Sequence, residues 1–434
     1  MFAPALHTES LAPAAPRPLW VAAAVLGLAF FLSEHDWTKS RLENFALSDQ
    51  DMAASVEGGA ANRQVAFLAV GGLGLLLLGN TTFLALGQGR TLSFRNSAAV
   101  LALGYAAWCV ASVAWSVETA LTAKRLAVLI LCLVGVLGVC RHLGGRDLCT
   151  LALLLTSGFA LIGIAAELSL GTFRPWAGDY RFGGTVHPNA QGVYCAVICL
   201  AATCKALQGG LARGWYFALA AVGAALLLLT KSRAALAGLA VALAALWLVR
   251  ASAASKLRTA VVAILVVSSL LWAASLLGVD ATSEIADAVL LGRSDDAESF
   301  SGRVPLWGEL LTYAFQRPLC GYGYDAFWTP ARVEDVSAFA GWTVPSAHSA
   351  YIDTLLSVGF VGAALLAAFA ATALCGAVRR YAVGGDPGMA FILGLLVLGL
   401  INATMESGFV QPVCISFIAA CGAGRLAFCR EEMV

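Results

Sequence analysis

Charge is the scarcest property of this sequence. Asp, Glu, Lys and Arg make up 12% of its 434 residues and apolar residues 60%, against about 25% and roughly 45–50% in soluble globular proteins. The shortage excludes a water-soluble fold, because no interior of this length could hide so much apolar surface. The bilayer must solvate most of the chain. Net charge is +1, so bulk charge gives no ground for a nucleic-acid partner.

Signals for metals and cofactors are missing as well. The twelve cysteines show no CxxC and no metal-ligand spacing. All but Cys320 fall in or beside apolar runs and read as small packing residues. A lone Cys320 outside the membrane cannot build a disulfide framework. Asp295 and Asp296 stand together in a charged loop, where solvation is the default. Walker-type and dinucleotide glycine motifs are absent, so neither ATP nor NAD, nor any other cofactor, is expected. There is no heptad pattern, low-complexity tract or internal repeat.

What the sequence does have is long apolar runs. A helix needs roughly 20 apolar residues to cross about 30 Å of hydrocarbon. Runs that meet or approach this are 18–33, 65–87, 97–116, 125–140, 148–170, 188–207, 214–230, 233–249, 259–279, 350–376, 387–405 and 409–428. The first follows Arg17 like a signal peptide but lacks a small-x-small cleavage site, so it is expected to stay as a helix. The pair around Lys231-Ser232 predicts one tight hairpin. The fold class expected is all-α and polytopic, with about 12 transmembrane helices. Nine spans fill 1–279, a large outer loop containing short helices fills 280–349, and three spans fill 350–434.

Orientation follows from the short loops. With the N-terminus in the cytoplasm, 14 basic residues face that side, among them Arg90, Arg141, Arg146, Arg250 and Arg425, with only five acids. Both termini are then cytoplasmic, in a bacterial inner membrane, and 34–64, 171–187 and 280–349 lie outside. A connection of 70 residues without a function is uncommon, so the working surface is expected on the outer, periplasmic face.

Basic residues on that face run against the bias and ask for a reason. Arg181, in Gly178-Asp-Tyr-Arg-Phe-Gly-Gly-Thr-Val-His187-Pro188-Asn189, sits beside a glycine bend at a helix mouth. Backbone N–H groups and a guanidinium there would make an anion site; snorkelling to lipid phosphate is the plain alternative. His187 reads as a helix cap. Lys231 and Arg233 lie between two apolar runs, where such residues face a polar cavity; a solvated turn is the alternative. Leu306, Leu310, Leu311 and Phe315 recur at helical spacing after Ser301-Gly302-Arg303, predicting a helix against the membrane surface. Arg317-Pro-Leu-Cys-Gly-Tyr322-Gly-Tyr-Asp-Ala-Phe-Trp328 follows as an aromatic turn, suited either to sugar faces or to a membrane interface. His348 stands where the long loop re-enters the membrane, and an imidazole there can act as a general base. Several guanidinium groups, one well-placed His and no metal suit a diphosphate ester donor whose leaving group is held by Arg.

At these residues the chain resembles the O-antigen ligase and Wzy-type polysaccharide polymerase superfamily, over most of its length. Trp115-Ser-Val-Glu118 with Lys124-Arg125, Arg181 to Asn189, and Lys231-Ser-Arg233 match early elements in order. Ser301-Gly-Arg303 with Trp307, Arg317-Pro318, Gly321-Tyr322-Gly323, and His348 with Tyr351 and Gly359 match later ones. The resemblance implies glycan transfer from a polyprenyl diphosphate to a sugar hydroxyl on the periplasmic face, without metal, by a single inverting displacement. It implies that Arg181 and Arg233 bind diphosphate, with Lys231 beside them, that Arg303 touches the donor or positions the loop, and that His348 is the base or orients the acceptor. Arg317, Tyr322 and Tyr351 would shape the loop or meet the acceptor. Ser349 departs from the pattern, which commonly has Asn after the His.

The Ser-Gly-Arg…Trp stretch is more similar to the exopolysaccharide polymerase branch, so polymerase is the preferred reading and ligase, transferring to lipid A-core, the alternative. The implied partners are the polyprenyl-diphosphate-linked oligosaccharide, the glycan or lipid A-core acceptor and the bilayer, with a chain-length regulator as a further candidate. A lipid-linked glycan transporter is a reading of another class; it would need charges threaded through the bundle, and Glu167 is the one candidate inside a run. A receptor or scaffold would leave the outward Arg and His residues tolerant of substitution.

Overall fold

The computed structural model describes residues 17–35, 61–79, 89–262 and 300–429, with side chains from 303 onward in the last stretch. In chain order the helices are α1 (Arg17–Glu34), α2 (Ala61–Leu78), α3 (Ser97–Ala111, extended by a 3-10 turn Ser112–Ala114), α4 (Thr119–His142), α5 (Gly145–Leu170), α6 (Pro188–Ala206), α7 (Arg213–Thr230) and α8 (Arg233–Arg250). There follow α9 (Phe300–Gln316), α10 (Pro330–Ala340), α11 (Ala350–Gly384), α12 (Pro387–Asn402) and α13 (Cys414–Phe428). The protein is an all-α, polytopic membrane protein. Among the described residues eight helices are long and apolar enough to span, and α12 and α13 are shorter apolar helices. Each expected span coincides with a helix where its residues are described; most of 259–279 and the end of 65–87 lie outside the described residues, as do Asp295, Asp296 and most of 34–64.

α6 and α12 are buried on nearly all faces, as an apolar helix must be when it forms the middle of a bundle. α5, α7 and α8 pack around α6, and α2 pairs with α4. The α2–α4 contact is set by glycine: a Cβ on Gly74 would stand 2.3 Å from the Val134 carbonyl oxygen, and one on Gly138 2.6 Å from that of Gly74. In lipid, small residues let helix backbones approach in this way. Leu28, Leu75, Leu161 and Val222 are exposed on the outer helices and form lipid-facing surface. Cys149, Cys195, Cys414 and Cys421 are fully buried packing residues.

Two polar ends cap the bundle. At one, Arg90 N–H donates to the Arg141 carbonyl and the Arg141 guanidinium to that of Leu78 at 2.6 Å. Arg146 pairs with Asp386 at 2.7 Å, Arg250 donates to Ala382, and Arg425 donates to Leu143. The basic residues assigned together from the loops thus share one end. The other end gathers 171–187, the Lys231-Ser232 turn, 300–349 and 403–413. There Glu34, closing α1, accepts from the Cys414 N–H at 2.6 Å and from the Tyr194 hydroxyl, which ties α1 to α13 and α6.

Two expectations change. α7 and α8 do not lie side by side as a tight hairpin: α7 packs on α6 and α8 on α12. Lys231 in the left-handed region (φ 52°) and extended Ser232 turn the chain away, and Gly192 of α6 approaches that turn so closely that a Cβ would meet Ser232 at 2.5 Å. The apolar stripe of α9 does not simply face the membrane. Leu306 and Leu310 are buried with Tyr322, Phe327, Trp328 and Val336 in a separate small core over the start of α11, while Phe315 stays exposed. Within this core Arg332 lies over Tyr313 at 4.5 Å and Phe327 at 5.3 Å, a cation–π arrangement that keeps its charge among aromatic rings.

Candidate active site

The 171–187 loop is built on a buried carboxylate. Glu167, in the last turn of α5, accepts from the N–H groups of Gly183 at 3.2 Å and Gly184 at 2.7 Å, and from the Tyr180 hydroxyl at 2.5 Å. A buried carboxylate needs such partners. Burial, and then the neighbouring Glu167, raise the Tyr180 pKa, so this hydroxyl stays a donor. The expected role of these glycines as anion-binding N–H groups is therefore corrected, because Glu167 already uses both. Gly184 has φ 60° and lies against Gly163 of α5, where a Cβ would meet the Gly163 Cα at 3.0 Å. Glu167 itself is at a helix end rather than in mid-run. His35 Nδ1 and Thr185 Oγ1, 2.6 Å apart, hold the loop to the end of α1.

Arg181 leaves this loop toward the bundle axis. Its Nε donates to the Thr230 carbonyl at 3.2 Å and its Nη2 to Asn189 Oδ1 at 2.7 Å. Asn189 Nδ2 donates in turn to Glu406 Oε1 at 2.8 Å. Glu406 also pairs with Arg303 at 3.4 Å, and Arg303 donates to the Met405 carbonyl. Arg303 is 3% exposed and its Nε has no partner among the described residues. A single chain of contacts thus joins Arg181, Asn189, Glu406 and Arg303 across three stretches distant in sequence. Arg233 opens α8, half-buried, three residues beyond the Thr230 carbonyl that Arg181 uses. Lys231 donates to the Gly178 carbonyl and so stitches the α7–α8 turn to the loop.

His348 stands beside this chain, near enough to Arg303 and His187 for both to act on its charge. Its Nε2 is buried without a partner among the described residues, and the Trp342 ring lies 5.3 Å away. Burial, then the Arg303 charge, push its pKa down to about 3, so the imidazole is neutral at pH 7. Its backbone is left-handed, φ 48°, a region uncommon for residues other than glycine, although His, Asn and Asp enter it more often than the rest, and contacts on both sides fix it there. The Ala347 carbonyl accepts from Trp307 Nε1 at 2.9 Å, and the Ala350 N–H donates to the Ala403 carbonyl at 2.9 Å. His187 caps α6, its Nδ1 accepting from the Asn189 N–H at 3.2 Å. Ser349 is buried at the N-cap of α11 and its side chain makes no cap hydrogen bond.

The Arg317–Gly323 turn is inserted into a break in α11. Gly359 takes φ 65°, ψ −172°, and a Cβ there would stand 2.3 Å from the Leu319 carbonyl oxygen; Gly321 (φ 65°) faces it from the turn. The Tyr322 N–H donates to the Leu356 carbonyl at 2.8 Å, and the Phe360 N–H to that of Pro318 at 2.7 Å. Trp115 Nε1 donates to the Cys320 carbonyl at 2.9 Å, and the Val117 N–H to that of Tyr322 at 3.0 Å, so the Trp115–Glu118 stretch seats on this turn. Arg317 lies over the Tyr322 ring, and the buried Tyr322 hydroxyl donates to the Tyr313 carbonyl at 3.0 Å. Tyr351 donates to the Leu400 carbonyl at 2.8 Å. Arg317 and Tyr322 thus pack within the turn, whereas Tyr351 links α11 to α12.

The structure brings together Arg181, Arg303 and His348. It adds Asn189, Glu406 and Glu167, which were not singled out as site residues. An acid between the last two apolar runs, on the side where basic residues stand against the topological bias, was the available signal for Glu406.

A family model described as O-Antigen ligase matches residues 218–367. That stretch holds Lys231, Arg233, Arg303, Arg317, Tyr322, His348 and Tyr351, and leaves Arg181 outside it. The exopolysaccharide production protein ExoQ of Rhizobium meliloti (strain 1021) is 26% identical over 151 residues, and the match spans 33% of this chain and 35% of that protein. Over 218–367 the chain carries a stretch similar to the O-antigen ligase domain, and its resemblance to the O-antigen ligase and Wzy-type polysaccharide polymerase superfamily is borne out.

Proposed function

We propose that the protein is a membrane glycosyltransferase that polymerises a surface polysaccharide from oligosaccharide units carried on polyprenyl diphosphate. The observation that carries this reading is the Arg181–Asn189–Glu406–Arg303 chain beside His348 Nε2, which has no partner among the described residues. In the proposed step an acceptor sugar hydroxyl attacks the anomeric carbon of the donor. The bond from that carbon to the diphosphate oxygen breaks, and the diphosphate leaves with the electron pair. Arg181, Arg233 and Lys231 neutralise the leaving group, with Arg303 behind them, which supplies the fixed positive field that departing anions need. His348 Nε2 takes the hydroxyl proton. One displacement inverts the anomeric centre and uses no metal.

The charge balance supports this order of events. His348 is a weak base because it is buried beside Arg303. A bound diphosphate brings negative charge to the same place, offsets Arg303 and raises the imidazole pKa toward the operating pH. The base therefore gains strength when the donor is bound.

The site end is proposed to face the periplasm, with both termini in the cytoplasm of a bacterial inner membrane and the outer loop spanning 280–349 between the two sets of helices. The Rhizobium relative is named for exopolysaccharide production and the family model for an O-antigen ligase, so both polymerisation and ligation are put to the test. Comparing glycolipids of a deletion strain with its parent separates these. Single repeat units left on polyprenyl diphosphate, with long chains lost, support the polymerase. Long carrier-linked chains that no longer reach lipid A-core identify a ligase. Unchanged glycolipids in both pools contradict either activity, and carrier-linked units confined to the inner leaflet indicate transport.

A further inference from the structure

Asp353 lies in the first turn of α11. Its carboxylate collects hydrogen bonds from three separate segments. Oδ1 accepts from the Ala347 N–H at 3.1 Å and from Trp328 Nε1 at 2.8 Å, and Oδ2 accepts from the Ser407 hydroxyl. Ala347 immediately precedes His348, Trp328 closes the aromatic turn, and Ser407 immediately follows Glu406. Trp307 holds the opposite side of Ala347 through its carbonyl. Both backbone polar groups of the residue before His348 are therefore fixed, and His348 is the residue with φ 48°.

We propose that Asp353 is the positioning residue of this site: it holds the left-handed His348 backbone in register with the Glu406 segment. This rests on the glycosyltransferase reading, in which His348 must meet the acceptor hydroxyl. The left-handed conformation at a residue with a Cβ does not hold itself. Without the Asp353 acceptor, the Ala347 N–H loses its partner and His348 relaxes toward ordinary backbone angles. The carboxylate acts by accepting, so Asn at this position, which keeps the Oδ1 acceptor and meets the Ser407 hydroxyl with its amide, preserves the register.

The test compares Asp353→Leu and Asp353→Asn in full-length protein with a polyprenyl-diphosphate oligosaccharide donor. Expected are a kcat in Asp353→Leu reduced by about 10–100-fold, the range of a misplaced reacting group, a donor KM within about threefold of wild type, and recovery of most of kcat in Asp353→Asn. Wild-type kcat in Asp353→Leu, or Asp353→Asn as impaired as Asp353→Leu, overturns the proposal. If Asp353→Leu does not fold, Trp307→Phe removes the other restraint on Ala347 and must show the same loss of kcat at constant KM; wild-type kcat there overturns it. Hydrogen exchange of the 343–352 segment separates this proposal from the glycosyltransferase reading. Should wild type transfer no glycan, that reading fails. The positioning claim then stands if Asp353→Leu speeds exchange there at least about tenfold and Asp353→Asn does not, and falls if exchange is unchanged.

Discussion

Replacing Glu167 with Ala should release the 171–187 loop while leaving the helices in place. The substitution removes the acceptor for Gly183, Gly184 and Tyr180 together. Gly183 and Gly184 are buried, so water cannot replace the lost partner. Each buried donor left unsatisfied costs about 1–3 kcal/mol, which places the penalty on the loop at roughly 2–6 kcal/mol. At about 3 kcal/mol the open population rises some 150-fold, since 1.4 kcal/mol is a factor of about ten. Glu167→Gln keeps an acceptor for the glycine pair and loses only the charge assistance, about 1 kcal/mol. The assay is hydrogen–deuterium exchange in detergent, followed on peptides covering 178–189. Exchange should quicken by about two orders of magnitude in Glu167→Ala, far less in Glu167→Gln, and stay unchanged in α6 and α12. Because Arg181 hangs from this loop, donor KM should rise in parallel. Equal protection in Glu167→Ala and wild type would refute the account of the loop.

Two further outcomes follow from the geometry. Gly359→Ala should lower the thermal midpoint and the yield of folded protein: its backbone region costs a residue with a Cβ about 1–3 kcal/mol, before the 2.3 Å approach to Leu319 is relieved. An unchanged midpoint would contradict the reading of the Arg317–Gly323 turn as an insert into α11. Stability should also fall with acid. His348 titrates near 6.5 when unfolded and at about 3 in the fold, so between these pH values the unfolded chain binds more protons and stability drops as pH falls. The His348 share of the slope is at most about 1.4 kcal/mol per pH unit, less the share screened on the exposed side of the ring, and is lost in His348→Gln, while His35, held down to about 4 by burial, keeps its own share in both proteins. Thermal midpoints measured from pH 7 to 5 in both proteins check this.

The architecture was legible because two periods of information agreed. Apolar runs located the helices, and Lys and Arg counts sorted their ends, so that Arg90, Arg141, Arg146, Arg250 and Arg425 were grouped before any contact was known. Motif order marked Arg181, Arg303 and His348 as one site. The glycines of Gly321-Tyr322-Gly323 and Gly359 were marked by motif alone; their cause, two backbones meeting at a break in α11, needs three dimensions. Glu167, Asp353 and Glu406 were hidden because a buried carboxylate is explained by its donors, and those come from segments up to 217 residues apart, as Asn189 and Glu406 are. The α9 stripe looked membrane-facing because an amphipathic pattern states that a face is covered, not by what.

The most direct test uses purified protein in detergent or nanodiscs with a polyprenyl-diphosphate oligosaccharide donor, following glycan length for wild type, Arg181→Ala and His348→Ala. Positioned base catalysis contributes about 10²–10⁴-fold, and loss of one charge-stabilising donor costs about 10²–10³-fold. The account predicts chain extension by wild type and losses of these sizes in the two variants, with their folded yield unchanged. Full transfer activity in His348→Ala would contradict it.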